Sequence, residues 1–205
     1  MKPGSPPRAL FLDIGMVICP LRREPFAEFL KRTVPKSRSH DFQENFDRLH
    51  DALERGQLTL PAWVHGVLAP FQLEHCGPEF ISLWNAIIER PLPRLLPLLR
   101  AISQRLPIYA LSNTSASHME IFLQWPEARA LTRVLTSFEL GFRKPELGIF
   151  QAATEAAHVL PSQALLLDDT RANIAGAVRA GWQAQYIPDP QTALEWLESA
   201  CRHWR

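Results

Sequence analysis

The sequence predicts an α/β protein built on a doubly wound parallel sheet, with an all-helical segment inserted after the first strand. Three observations predict it. A short run with apolar residues on both faces, Ala9-Leu10-Phe11-Leu12, stops abruptly at Asp13, as a strand buried in a parallel sheet does. From residue 92 onward, similar apolar runs alternate with helix-patterned segments, the pattern of a sheet wrapped on both faces by helices. Between the two, residues 25–91 carry helical periodicity and no strand signal.

Taken in order, the first strand ends at Asp13, and residues 15–21 form a tight irregular connection containing Pro20. Phe26, Phe29 and Leu30 share one helical face, and Phe42, Phe46, Leu49 and Leu53 share another. Thr59 is placed to cap a helix over 60–68, and Gly77-Pro78 opens a further helix through Ile81, Trp84, Ile87 and Ile88. Pro91-Leu92-Pro93 returns the chain to the sheet. A helix over 95–104 then precedes a buried strand over 106–111 that ends in Ser112-Asn113-Thr114. A helix over 115–123 leads to a short strand at 133–136, and Gly141-Phe142-Arg143-Lys144-Pro145 forms a loop. Pro145 is suited to start the helix over 146–157. The strand over 164–167 ends in Asp168-Asp169, the next helix stops at Gly181, and a last strand (183–187) and helix (192–201) close the chain. The expected division is a core domain of residues 1–20 and 92–205 and an all-helical inserted domain of residues 21–91.

With 205 residues, such a chain buries about 70% of its unfolded surface. A net charge of +1 gives no electrostatic footprint for nucleic acid or an anionic membrane. No apolar run reaches the length of a membrane span. Residues 1–8, rich in Pro and without an apolar core, read as a disordered lead-in. The three dispersed cysteines form no CxxC pair, which fits a reduced compartment. A cytoplasmic protein is expected; its oligomeric state is not legible.

The strand ends and loops carry Asp13, Ser112 with Asn113, Lys144, and Asp168 with Asp169. Each alone is compatible with a cap or a surface residue. Open α/β sheets, however, gather their ligands at the carboxyl ends of the strands, so the topology brings all of them to one edge. Carboxylates crowded there repel by about 4 kcal/mol per pair at about 4 Å and an effective dielectric of 20. Lys144 offsets only one charge. Mg²⁺, a hard cation with oxygen ligands, completes such a set, and a hydroxyl, backbone N–H groups and a lysine suit a phosphate dianion. Asp13 is then either a pure metal ligand or a nucleophile attacking phosphorus.

The order Asp13, Ser112, Lys144, Asp168-Asp169 resembles the four motifs of the haloacid dehalogenase-like hydrolase superfamily. Phe-Leu-Asp-Ile-Gly-Met-Val-Ile, Leu-Ser-Asn-Thr with His118, Gly-Phe-Arg-Lys-Pro-Glu with Ile149-Phe150, and Asp-Asp-Thr-Arg-Ala-Asn with Gly176 and Gly181 are similar to its bacterial glucose-1-phosphatase-like subgroup. The resemblance implies a Rossmann-like core with a helical cap, and a phosphoric monoester hydrolase acting on a small phosphorylated metabolite such as a sugar phosphate. Asp13 would be the nucleophile and a Mg²⁺ ligand. The Gly15 carbonyl and Asp169 would be further ligands, with Asp168 acting directly or through water. Ser112 and the Asn113 backbone would hold phosphoryl oxygens, Lys144 would neutralise charge beside Asp13, and Asn173 would steady the last loop.

One position departs from that pattern. Most phosphatases of the superfamily carry a second aspartate two residues after the nucleophile, as acid and base; here Gly15 stands there. Either the substrate needs little protonation of its leaving oxygen, or another residue, Glu24 or His118, supplies it. A carbon–halogen hydrolase and a catalytically silent binding protein are the competing readings. Trp63, Phe80 and Trp84 are core positions or substrate contacts of the cap.

Overall fold

The computed structural model describes residues 7–203, so most of the lead-in expected over residues 1–8 lies outside the described residues. Strand β1 (Ala9–Leu12) is followed by helices α1 (Glu24–Thr33), α2 (Ser39–Glu54), α3 (Leu60–Leu68), α4 (Gly77–Asn85) and α5 (Leu95–Ser103). Then come β2 (Ile108–Ser112), α6 (Ala116–Phe122), β3 (Arg133–Thr136), α7 (Ser137–Leu140) and α8 (Leu147–Ala157). The chain closes with β4 (Ala164–Asp168), α9 (Arg171–Arg179), β5 (Gln183–Tyr186) and α10 (Pro190–His203).

The five strands form one parallel sheet in the order β3-β2-β1-β4-β5. All four β1 residues are fully buried, because β1 is central and covered on both faces. Leu10 and Leu12 pack with Ile108, Leu167 and helices α5, α6 and α10. Ala9 and Phe11 point the other way, to Leu166, α8 and α9, and the Phe11 ring lies 5.0 Å from Tyr109 and 4.4 Å from Trp182. The alternation is the period of two that a pleated strand imposes. Strand order reverses between β1 and β4, and that switch point opens a crevice at their carboxyl ends.

Helices α1–α4 enclose a separate aromatic core that includes Phe29, Trp63 and Phe80. The chain leaves and re-enters the sheet unit along paired backbone. Leu21 and Ile88 form an antiparallel bridge, Arg22 N–H donates to the Ile87 carbonyl (2.7 Å), and Glu89 N–H donates to that of Pro20 (3.1 Å). This pairing corrects one expectation: the helix expected to run through Ile87 and Ile88 ends at Asn85, because the Ile87 carbonyl is taken by the outgoing segment. A second correction concerns Pro145. It lies in the loop after a cis peptide bond, and α8 begins at Leu147 behind an extended Glu146. Glu146 bonds instead to Arg55, through two side-chain contacts. The single-turn helix α7, closed by Gly141 in the left-handed region (φ +73°), had no counterpart in the sequence reading.

Candidate active site

The crevice gathers the expected groups because each terminates a buried strand or an adjoining loop. The Asp13 N–H continues the ladder to the Leu167 carbonyl (2.9 Å), which sets Asp13 beside the end of β4. Asp13, Asp168 and Asp169 each bring a carboxylate oxygen within 4.8 Å of the others. Lys144, whose side chain is fully buried, bridges two of them, with Nζ 3.0 Å from Asp13 Oδ2 and 2.6 Å from Asp168 Oδ2.

The position of Lys144 is fixed from behind. The Asn113 carboxamide accepts from the Lys144 N–H (2.8 Å) and donates to the Lys144 carbonyl (2.9 Å). Asn113 was expected to contribute its backbone; this side-chain clamp was missed, and nothing local in the sequence signals it. Asp168 Oδ1 accepts from Thr170 N–H (2.8 Å) and Asn173 Nδ2 (2.9 Å), so Asn173 does hold the loop it follows. With Lys144 on the other oxygen, both Asp168 oxygens are engaged. Asp169 is freer: it is half-buried and accepts from the Thr170 hydroxyl at 3.3 Å. Ser112, the last residue of β2, is buried, and its hydroxyl donates a long 3.4 Å bond to the Asn113 carbonyl.

The electrostatics follow from burial and crowding. Burial, the largest cause, pushes the Asp13 carboxyl up to about 7; Lys144 pulls it down, while Asp168 and Asp169 add to the rise. Asp169 is raised by its burial and by Asp168. Burial would lower Lys144, but the flanking Asp13 and Asp168 overcome it and hold the ammonium above its usual range. Oxygen donors alone, in excess negative charge with one lysine already paired, fit a hard divalent cation.

A stability prediction follows for metal-free protein. Between about pH 4 and about pH 7 the native state binds a proton at Asp13 that the unfolded chain has lost. Its contribution therefore falls as pH rises through that window, by up to about 1.4 kcal/mol per pH unit. Asp13→Asn, which does not titrate, is expected to gain on the parent across that window and to be the more stable protein above it. Urea midpoints at pH 5, 6, 7 and 8 in chelator measure this; a difference that does not vary with pH contradicts it.

A cavity of about 450 Å³ adjoins the crevice between the sheet edge and the helical insert. Ile14, Gly15, Ser112 and Asn113 form its floor, and Phe46 and Trp84 stand on the insert side. Of the proposed stand-ins for the missing acid, His118 lines this cavity, with Nε2 2.8 Å from the Trp84 carbonyl and its ring stacked 4.8 Å from Trp84. Glu24 is exposed at the first turn of α1 and is not on the wall. Trp63 and Phe80 are fully buried in the insert, whereas Trp84 reaches the cavity. A Cβ at position 15 would lie 2.8 Å from Leu21 Cδ1.

The insert is tied to the loop carrying Lys144 by a network that sequence reasoning did not find. Arg143 pairs with Asp51 and Glu54 of α2, the latter at 2.6 Å, and Arg55 pairs with Asp51 and Glu146. The residue preceding Lys144 is thus anchored to the helical insert. An arginine flanking Lys144 was the only available signal.

No protein-family model matches the chain. Among solved structures it is similar to a predicted HAD-like family hydrolase from Porphyromonas gingivalis, with a TM-score of 0.81, 21% identity, and coverage of 97% of this chain and 98% of that one. A HAD family enzyme from Bacteroides thetaiotaomicron, solved in complex with magnesium and inorganic phosphate, gives a TM-score of 0.76 at 24% identity over 88% of this chain and 93% of its own. A 2-haloacid dehalogenase from Pseudomonas syringae is similar at a TM-score of 0.67 and 17% identity, over 97% and 100%. The chain has the haloacid dehalogenase-like fold, a Rossmann-like α/β sheet.

Proposed function

We propose that the chain is a Mg²⁺-dependent hydrolase of small phosphate monoesters that works through an aspartyl phosphate on Asp13. The observation that carries this reading is the meeting of three carboxylates within 4.8 Å, with Lys144 bound to two of them. The Bacteroides thetaiotaomicron neighbour, solved with magnesium and phosphate, supports it. Asp13, Asp169 and the Gly15 carbonyl would hold the cation, with Asp168 acting through water because its oxygens are already engaged. Bound there, Mg²⁺ would supply charge neutralisation for the phosphoryl oxygens.

Asp13 attacks phosphorus and the ester P–O bond breaks, the electron pair leaving with the alcohol oxygen. Lys144 favours the ionised form of Asp13 against its burial and stabilises the transferring group, while Ser112 and Asn113 hold its oxygens. Water then attacks the phosphorus, inorganic phosphate leaves and Asp13 is restored. Residues 21–91 act as the cap, covering the cavity and excluding water. Among the described residues no helix is long and apolar enough to cross a membrane, and the free cysteines suit a cytoplasmic site of action.

Phosphate release from acetyl phosphate is expected with Mg²⁺ and is expected to vanish with EDTA. Hydrolysis of 2-chloropropionate that persists in EDTA, without phosphate release, would establish the carbon–halogen alternative that the dehalogenase neighbour raises.

A further inference from the structure

The cavity beside the crevice is walled by rings. Phe26, Phe46 and Trp84 come from the insert and Phe122 from α6. Leu21, Ile87 and Ile88 fill the gaps between them. Most of the polar side chains on the insert side and on α6 are already engaged within the protein. Gln43 donates to Asp47 (2.8 Å), His50 lies 3.5 Å from Glu54, Glu54 is held by Arg143, and His118 is bonded to the Trp84 carbonyl. Arg23 is exposed. Among the described residues the buried Trp84 indole N–H has no partner.

A sugar brings several hydroxyls; the Trp84 indole N–H and Arg23 could meet two of them, and the rest would lose water and meet a ring or an occupied polar group. An unmet buried hydroxyl is costly, whereas an aromatic body gains from offset and edge-on ring contacts. A cavity of about 450 Å³ lies within the range used for small organic ligands. Position 15 points the same way. Gly15 offers no acid, and Leu21 occupies the room where a side chain would project. A leaving oxygen attached to a ring departs as a phenolate, whose conjugate acid has a pKa of about 10, and so needs less protonation than an alkoxide.

We propose that the site takes phosphate monoesters of flat, aromatic, sparsely hydroxylated alcohols, phenols above all, and discriminates against sugar phosphates. This rests on the phosphatase reading above. The P–O bond breaks with its electrons on the phenolic oxygen, Asp13 carries the phosphoryl group to water, and solvent protonates the departing phenolate.

The test separates fit from leaving-group reactivity and from the phosphatase reading itself. Acetyl phosphate, whose small acetyl group has no aromatic body to fill a cavity of about 450 Å³, reports the chemistry. 2-Phenylethyl phosphate and glucose 6-phosphate both expel an alkoxide, so their difference reports the cavity. With Mg²⁺ present, kcat/KM for 2-phenylethyl phosphate is expected to exceed that for glucose 6-phosphate and glucose 1-phosphate by about tenfold or more, with 1-naphthyl phosphate higher still. Ala27, exposed on the cavity wall, gives a second arm: Ala27→Phe is expected to raise KM for 1-naphthyl phosphate by about tenfold, and more than for acetyl phosphate. Turnover of acetyl phosphate with equal or greater activity on the glucose phosphates would overturn this proposal and leave the phosphatase reading standing. No phosphate from acetyl phosphate or any ester would overturn both.

Discussion

Asp13→Asn is expected to lower phosphate release by about 10⁴-fold or more while leaving the fold intact. The carboxylate sits at the end of β1, almost fully buried, and its Oδ2 faces Lys144 at 3.0 Å. Asparagine keeps the shape and the bond accepted from the Ile14 N–H (2.7 Å), but its amide cannot form the acyl phosphate. Acid-quenched enzyme incubated with radiolabelled acetyl phosphate should carry label in the parent and none in the variant. A variant that retains a tenth of the rate or the label would remove Asp13 from the nucleophile's role.

Lys144→Met is expected to destabilise the protein by about 3–5 kcal/mol at neutral pH, the usual cost of breaking a buried pair from one side. The cost is high because one ammonium serves two carboxylates, and Asp168 is completely buried. Turnover should fall by about 10²–10³-fold as the charge beside the transferring group is lost. The stability loss should shrink toward pH 4, because protonation of the abandoned Asp13 carboxyl, raised to about 7 by burial, removes unpaired charge. Urea unfolding at pH 7 and pH 4.5 measures both; a loss of under about 1 kcal/mol at pH 7 would contradict the central place given to this lysine.

Much of this site is legible in the sequence because buried strands are short and apolar, and their ends are conspicuous. Asp13, Ser112 and Asp168 each follow an uninterrupted apolar run, and the parallel register brings those runs side by side. Gly181 was readable as a helix stop and adopts a φ of +84°. What was not legible depends on contacts between distant residues. The Asn113 clamp on Lys144 spans 31 positions, and the Arg143 bridge to Asp51 spans 92. Neither has a local pattern. The end of α4 was misread because Ile87 and Ile88 continue an apolar period, while the backbone there pairs with the segment of Pro20 to Arg22. The apolar character of the cavity was equally hidden: Phe46 read as part of a helical face and Trp84 as a core position or a substrate contact, and only their arrangement beside Phe122 turns these rings into a wall.

Calorimetric titration of Mg²⁺ into the parent protein and into Asp169→Asn tests most directly whether the carboxylates form one cation site. The parent should take up a single ion per chain and release protons on doing so, more at pH 6 than at pH 8, as the raised Asp13 gives up its proton. The variant should bind at least about tenfold more weakly. A parent that binds no Mg²⁺, or a variant that binds it equally well, would contradict the account.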